Sequence, residues 1–325
     1  MAIRIKQGAS ISLLCLLLLL CVAQMADAQD SLQSFVEKGS RALIAKDYPV
    51  AQSNYESALK LAPDDFDILK NLGIIYSAMG SKGKARTSLL RAIKIRPHNA
   101  EVLHNLGVLS SNDGNRAEAI EYYTEALKVD SANSLYLTHL GQEYSRVGRI
   151  GKALPILRKA LEIDSIQPIL FFSIGNCFAA SSSYDSAEIY YQHSAELGGR
   201  TAELYYFLGR VQDKQNKTAD AIASYKEALT FNPELRDCLY ALGSAYFQTH
   251  QYPQAVDQFE RLTSIQTNDY ASLVMLGAAY ALANYVPQSD SILNRLFAAD
   301  SSYGFEMLKL ASDAFKARDS ALSKE

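Results

Sequence analysis

Cysteine is scarce in this chain and badly placed for cross-linking. Of the four cysteines in 325 residues, Cys15 and Cys21 fall in an apolar N-terminal stretch, which leaves Cys177 and Cys238. These two are 61 residues apart, in repeats five and seven of the pattern described below. A disulfide needs Cα atoms within about 7 Å, so both are expected as free thiols on packed helices, and apolar contacts alone must hold the fold. Neither sign of charge dominates: 32 Lys and Arg oppose 35 Asp and Glu, a formal net charge of −3. That balance argues against nucleic acid or an anionic membrane as partner. Histidines number five, at 98, 104, 139, 193 and 250. Only His104 and His139 share a helical ladder, one residue out of phase, and no Cys, Asp or Glu completes a tetrahedral metal set around them. Gly-rich phosphate loops, Ser-x-x-Lys and nucleophile-elbow patterns are missing. No metal or other cofactor is expected, and no enzymatic activity.

One apolar run stands out, Ile11 to Val22, and at about 12 residues it is short of the ~20 that a spanning helix needs. Arg4 and Lys6 precede it, and Ala26-Asp27-Ala28 follows as an Ala-x-Ala cleavage site before Gln29. Residues 1–28 therefore read as a cleaved signal peptide, giving an exported, periplasmic or secreted chain with no integral membrane segment. Lipid anchoring through Cys21 is the alternative, weakened by Leu20 where a small residue is needed.

What the chain has in abundance is a period of 34 residues. Leu-Gly stands at Leu72-Gly73, Leu106-Gly107, Leu140-Gly141, Leu208-Gly209, Leu242-Gly243 and Leu276-Gly277, with Ile174-Gly175 in the gap and Gly39 one step earlier. Twelve residues after each glycine comes Ala51, Ala85, Ala119, Ala153, Ala187, Ala221 or Ala255, then Ser289. Each period splits into two helical stretches, and small residues let antiparallel helices approach to about 8–10 Å. Glycine inside a helix costs ~1 kcal/mol relative to alanine, so packing must repay it. An aromatic follows one turn after the alanine in Tyr55, Tyr123, Tyr191, Tyr225 and Phe259, while Pro63, Pro97 and Pro233 close three second helices.

With these marks the unit resembles the tetratricopeptide repeat, and the chain is similar to exported bacterial, Bacteroidota-like, members of that family. The resemblance covers 32–303 as eight tandem units starting at 32, 66, 100, 134, 168, 202, 236 and 270, after a short linker at 29–31. It implies an all-α, right-handed superhelical α-solenoid. Residues 304–325 read as a capping helix and tail, with Phe305, Leu308 and Phe315 expected to cover the last repeat.

In this family the first helix of each pair lines a concave groove. The position three before the glycine carries Phe172, Tyr206 and Tyr240 in repeats five to seven, and these rings should stack as neighbouring steps. Asn176 and Arg210 follow their glycines by one residue, as does Gln142; Arg146, Lys214 and Gln248 sit one turn further. This set is the expected partner-binding strip. The lysine-and-asparagine grip some members use on a terminal carboxylate is matched only at Lys70 and Asn105, and Ile74, Leu135 and His139 break it. Asp-Ser followed by an apolar or small residue, as at Asp130-Ser131-Ala132, is similar to an O-glycosylation sequon of exported Bacteroidota proteins, and is also ordinary turn chemistry. Two roles follow from the resemblance. The chain is either a scaffold holding a protein or extended peptide, or a structural subunit of an envelope or secretion assembly. A chaperone-like holder of exported proteins is a third reading.

Overall fold

The computed structural model describes residues 29–322, with side chains described to residue 316. The expected leader, its cleavage site and Cys21 lie outside the described residues. Seventeen α-helices and no strand make up what is described. Two compact units divide the chain between Val147 and Gly148. The first holds α1 (29–44), α2 (Tyr48–Leu61), α3 (Phe66–Ala78), α4 (Lys82–Ile95), α5 (Ala100–Asn112), α6 (Arg116–Val129) and α7 (Ser134–Arg146). The second holds α8 (Ile150–Ile163), α9 (Pro168–Ala180), α10 (Tyr184–Glu196), α11 (Ala202–Lys214), α12 (Thr218–Phe231), α13 (Arg236–Gln248), α14 (Tyr252–Ile265), α15 (Tyr270–Leu282), α16 (Val286–Ala299) and α17 (Ser301–Leu322).

Local chemistry stops the first helices at the same offset in every repeat and caps the start of four of them. Asp65, Asn99, Asn133 and Thr201 cap first helices, each side chain accepting from the backbone N–H three residues on. First helices end on a left-handed residue: Lys46, Gly80, Gly114, Gly148, Ser182, Asn216, His250 and Asn284 all have φ between 58° and 81°. Around Gly80 the cap is complete, with Gly80 N–H donating to Ser77 C=O and Ser81 N–H to Tyr76 C=O. Three repeats meet this conformation with glycine and five pay for a side chain there. Arginines of the second helices then reach back to the preceding junction: Arg91 and Arg261 donate to the carbonyls of Pro63 and Pro233, and Arg295 to that of Thr267.

Inside several helix pairs the glycine admits a large side chain of the second helix. A Cβ built on Gly107, Gly175 or Gly209 would stand 2.6 Å from the ring of Tyr123, Tyr191 or Tyr225, and one on Gly243 would stand 2.8 Å from Phe259. Leu89 plays the same part against Gly73. The close contact is thus with the aromatic, one turn beyond the alanine of the second ladder. Those alanines are fully buried, from Ala51 to Ala255. Among the described residues, Cys177 and Cys238 are buried and not joined in a disulfide.

α17 caps the second unit, but with a different face from the one expected. Met307 fills the cleft at Gly277, and Gly304 makes room for the ring of Phe297. Tyr303, Leu310, Ala311 and Ala314 pack on the same core. Phe305, Leu308 and Phe315 are 64%, 45% and 54% exposed. Helix α17 has two apolar stripes, and the two glycines select the one that docks.

Candidate functional site

Helices α9, α11 and α13 bring the predicted aromatic register to one face of the second unit. Three residues before a glycine, a side chain sits over the aromatic that the glycine admits. Phe172 accordingly packs on Tyr191 at 5.7 Å between ring centroids, Tyr206 on Tyr225 at 6.2 Å and Tyr240 on Phe259 at 5.9 Å. The three rings do not stack on one another as expected. Phe207 makes the link instead, 5.9 Å from Phe172 and 5.4 Å from Tyr206. The glycine-minus-three register does not reach Phe207, which stands two residues before Gly209. The signal lay one residue on, where the other second-unit first helices carry Ser173, Ala241 and Met275.

Arg210 lies over this pair, its guanidinium carbon 5.7 Å from the Tyr206 ring and 5.9 Å from Phe207. A cation on ring faces is held by their negative quadrupole. Lys214 and Gln248 are exposed, and Tyr240 is 40% exposed. Asn176 accepts a hydrogen bond from the Tyr191 hydroxyl at 2.7 Å, so it anchors the helix pair. Between Arg210 and Lys214, Asp213 accepts the Tyr225 hydroxyl at 2.6 Å. Burial raises the Asp213 carboxyl above its ordinary pKa, against the opposing effects of that bond and of Lys214. Burial likewise raises the phenols of Tyr206 and Tyr240, which stay neutral hydrogen-bonding groups.

Gln142 and Arg146 belong to the first unit, where the chemistry differs. Arg146 donates to Glu143 at 2.6 Å, and Glu143 also takes hydrogen bonds from Arg116 at 3.0 Å and Ser111 at 2.6 Å. Glu143 is 1% exposed. Burial pushes its carboxyl up, and these three donors more than reverse that, leaving it below the ordinary value. Arg146 is therefore occupied by its own chain. Lys70, one of the two grip matches, pairs with Glu101 at 2.8 Å.

The structure also joins His104 and His139. His104 Nε2 and His139 Nδ1 are 2.8 Å apart, and the ring planes differ by 12°. Tyr136 stacks on His104 at 4.7 Å, and Tyr123 tilts toward both rings at 5.6 Å. Burial, then His139, pushes His104 down to about 4. Burial and then Arg146 lower His139, with Glu143 opposing. Two neutral imidazoles sharing one N–H result. Among the described residues no group of three or more His, Cys, Asp or Glu could hold a metal ion. Burial raises the Cys238 thiol to about 12, far from a reactive thiolate.

Comparison with known proteins agrees with this architecture. Models described as tetratricopeptide repeat match residues 42–106, 100–133 and 135–167, and one described as TPR repeat matches 209–250. No curated protein matches the sequence. Among solved structures, a tetratricopeptide repeat protein from Parabacteroides merdae superposes with a TM-score of 0.61 at 19% identity, covering 76% of this chain and 98% of that one. The APC/C hetero-tetramer Cut9-Hcn1 gives 0.63 at 17% identity, over 74% of this chain and 51% of that one. PilW, a type IV pilus biogenesis factor, gives 0.58 at 18% identity, over 64% and 96%. These likenesses concern the fold. The chain belongs to the tetratricopeptide repeat family.

Proposed function

We propose that the protein is a non-catalytic interaction scaffold of the cell envelope that holds an extended segment of a partner protein on the α9–α11–α13 face. The carrying observation is the linked set Phe172, Phe207, Tyr206 and Arg210, partly open to solvent on one face. Aromatic and arginine side chains are the residues most often found to dominate binding energy. Family members serve as platforms for other proteins. Placement in the envelope rests on the basic, apolar and Ala-x-Ala pattern of residues 1–28.

A photo-crosslinking amino acid at position 206 or 240, in the host, tests the site. Adducts should form there and not at Ile189, which is 53% exposed on the second helix α10. Adducts only from position 189 would overturn the site. Mass spectrometry of the same preparation should find an N-terminus at Gln29; an intact Met1 would overturn export, and an acylated Cys21 would make the protein a lipoprotein.

A further inference from the structure

We infer that the α9–α11–α13 face takes an acidic segment, an extended stretch of partner chain in which a carboxylate lies beside an aromatic side chain. The inference rests on the reading of this face as the partner site and adds the chemistry of what it holds.

Cations of the first unit are largely neutralised from within. Lys82 pairs with Asp113, Arg86 with Asp113 and Glu118, and Arg116 and Arg146 with Glu143. The second unit has few such pairs. Arg210 and Lys214 are exposed and, among the described residues, neither has a carboxylate within ion-pair distance. The acid between them does not serve. Asp213 spends its carboxylate on the Tyr225 hydroxyl at 2.6 Å, and burial disfavours its charged form. Asp237, on the neighbouring α13, and Glu203, at the start of α11, act on the tyrosines here only through their fields. Lys217 is already paired with Glu188 at 2.7 Å.

Arg210 is also held in an orientation. Its guanidinium fork rests over the Tyr206 and Phe207 rings, with the central carbon 5.7 and 5.9 Å from their centroids, and the side chain stays exposed to solvent. A planar fork of that kind matches a carboxylate with two parallel hydrogen bonds. Tyr206 and Phe207 beside it offer a ring surface to an aromatic neighbour. A phosphate would satisfy the same fork, but a polyanionic backbone draws its affinity from many basic contacts, and a chain of net charge −3 does not attract it as a whole.

The test selects a displayed library of random peptides about 12 residues long on the full chain, with Tyr206→Ala and Arg210→Gln/Lys214→Gln as parallel baits. Enriched peptides should carry Asp or Glu within two residues of Phe, Tyr or Trp. One such synthetic peptide, measured by fluorescence anisotropy, should bind the Gln/Gln variant at least about tenfold more weakly, with unchanged melting. Enriched peptides that need Tyr206 but carry no acid would overturn the acidic preference and leave the site intact. Peptides indifferent to both baits, or no enrichment, would overturn site and preference together. Displacement of the acidic peptide by single-stranded DNA at equal concentration would overturn the peptide assignment in favour of a phosphate ligand.

Discussion

Gly209→Ala puts the internal contact of one repeat to a quantitative test. The added Cβ would stand 2.6 Å from Cε1, 2.7 Å from Cδ1 and 3.1 Å from Cζ of Tyr225. Ordinary carbon contacts begin near 3.4 Å, so the ring must retreat by about 0.8 Å or the pair α11–α12 must open. Retreat is blocked. Tyr225 is 1% exposed and its hydroxyl is tied to Asp213 at 2.6 Å. Alanine improves helix propensity by ~1 kcal/mol. Overpacking a filled contact costs ~1–3 kcal/mol, and weakening a hydrogen bond to a charged acceptor adds ~1.5–3 kcal/mol at most. A net loss of about 1–3 kcal/mol is expected.

Urea unfolding followed by circular dichroism at 222 nm reads the change, with two controls. Gly83→Ala, in α4 with nothing within 4 Å of the new Cβ, should be neutral or stabilising. Gly209→Ala combined with Tyr225→Ala should cost less than the sum of the single changes, because the clash disappears with the ring. Should Gly209→Ala prove as stable as the parent, glycine would not be there for the ring and the small-residue ladder would need another explanation.

Two further outcomes follow from the structure. His104 titrates near 6.5 when unfolded and is pushed down to about 4 when folded. Its contribution is therefore complete above pH 6.5 and is lost as pH falls toward 4, amounting to about 2 kcal/mol by pH 5. Urea unfolding at pH 7 and pH 5 should show a smaller acid loss for His104→Leu than for the parent, and equal losses would refute the buried neutral pair. Lys46 is exposed with φ 58°, so Lys46→Gly should relieve left-handed strain of ~1–2 kcal/mol while adding ~0.4–1 kcal/mol of chain entropy. Stability should rise by up to about 1 kcal/mol by the same assay, and any loss would show that the strain is not there.

The 34-residue period carried the helix pattern, because the left-handed turn after each first helix recurs at one offset. Side-chain neighbours across repeats were less legible. His104 and His139 are one residue out of phase in the ladder, yet Nε2 and Nδ1 meet at 2.8 Å. Phe207 was invisible for the same reason: an offset says which residues are equivalent, not which rings touch between adjacent helices. Glu143 could have been noticed as the lone acid two residues after a glycine, where the other repeats from the second onward carry Ile75, Leu109, Cys177, Val211, Ala245 and Ala279. In α17, periodicity pointed to the Phe305, Leu308 and Phe315 stripe, which stays exposed; Gly304 and Gly277 select the other by shape.

The same scaffold position serves opposite ends in the two units. An arginine one turn after the ladder glycine, Arg146, finds a buried carboxylate one turn before it on α7 and becomes part of the fabric. On α11 the residue equivalent to Glu143 is Val211, which is buried and apolar and offers no charge. The cation at the position equivalent to Arg146 is Lys214, and it stays exposed. Removing a donor from a buried carboxylate leaves its charge less satisfied, at ~1–3 kcal/mol, so the first arrangement resists change. The second leaves Arg210 and Lys214 to be neutralised from outside. A Val211→Glu substitution would copy the first arrangement onto α11, and its effect on acidic-peptide binding separates a charge held for a partner from one merely left at the surface. Affinity for the selected peptide should fall at least severalfold with the fold retained by circular dichroism; unchanged affinity would mean that the open charge on α11 is not what the partner reads.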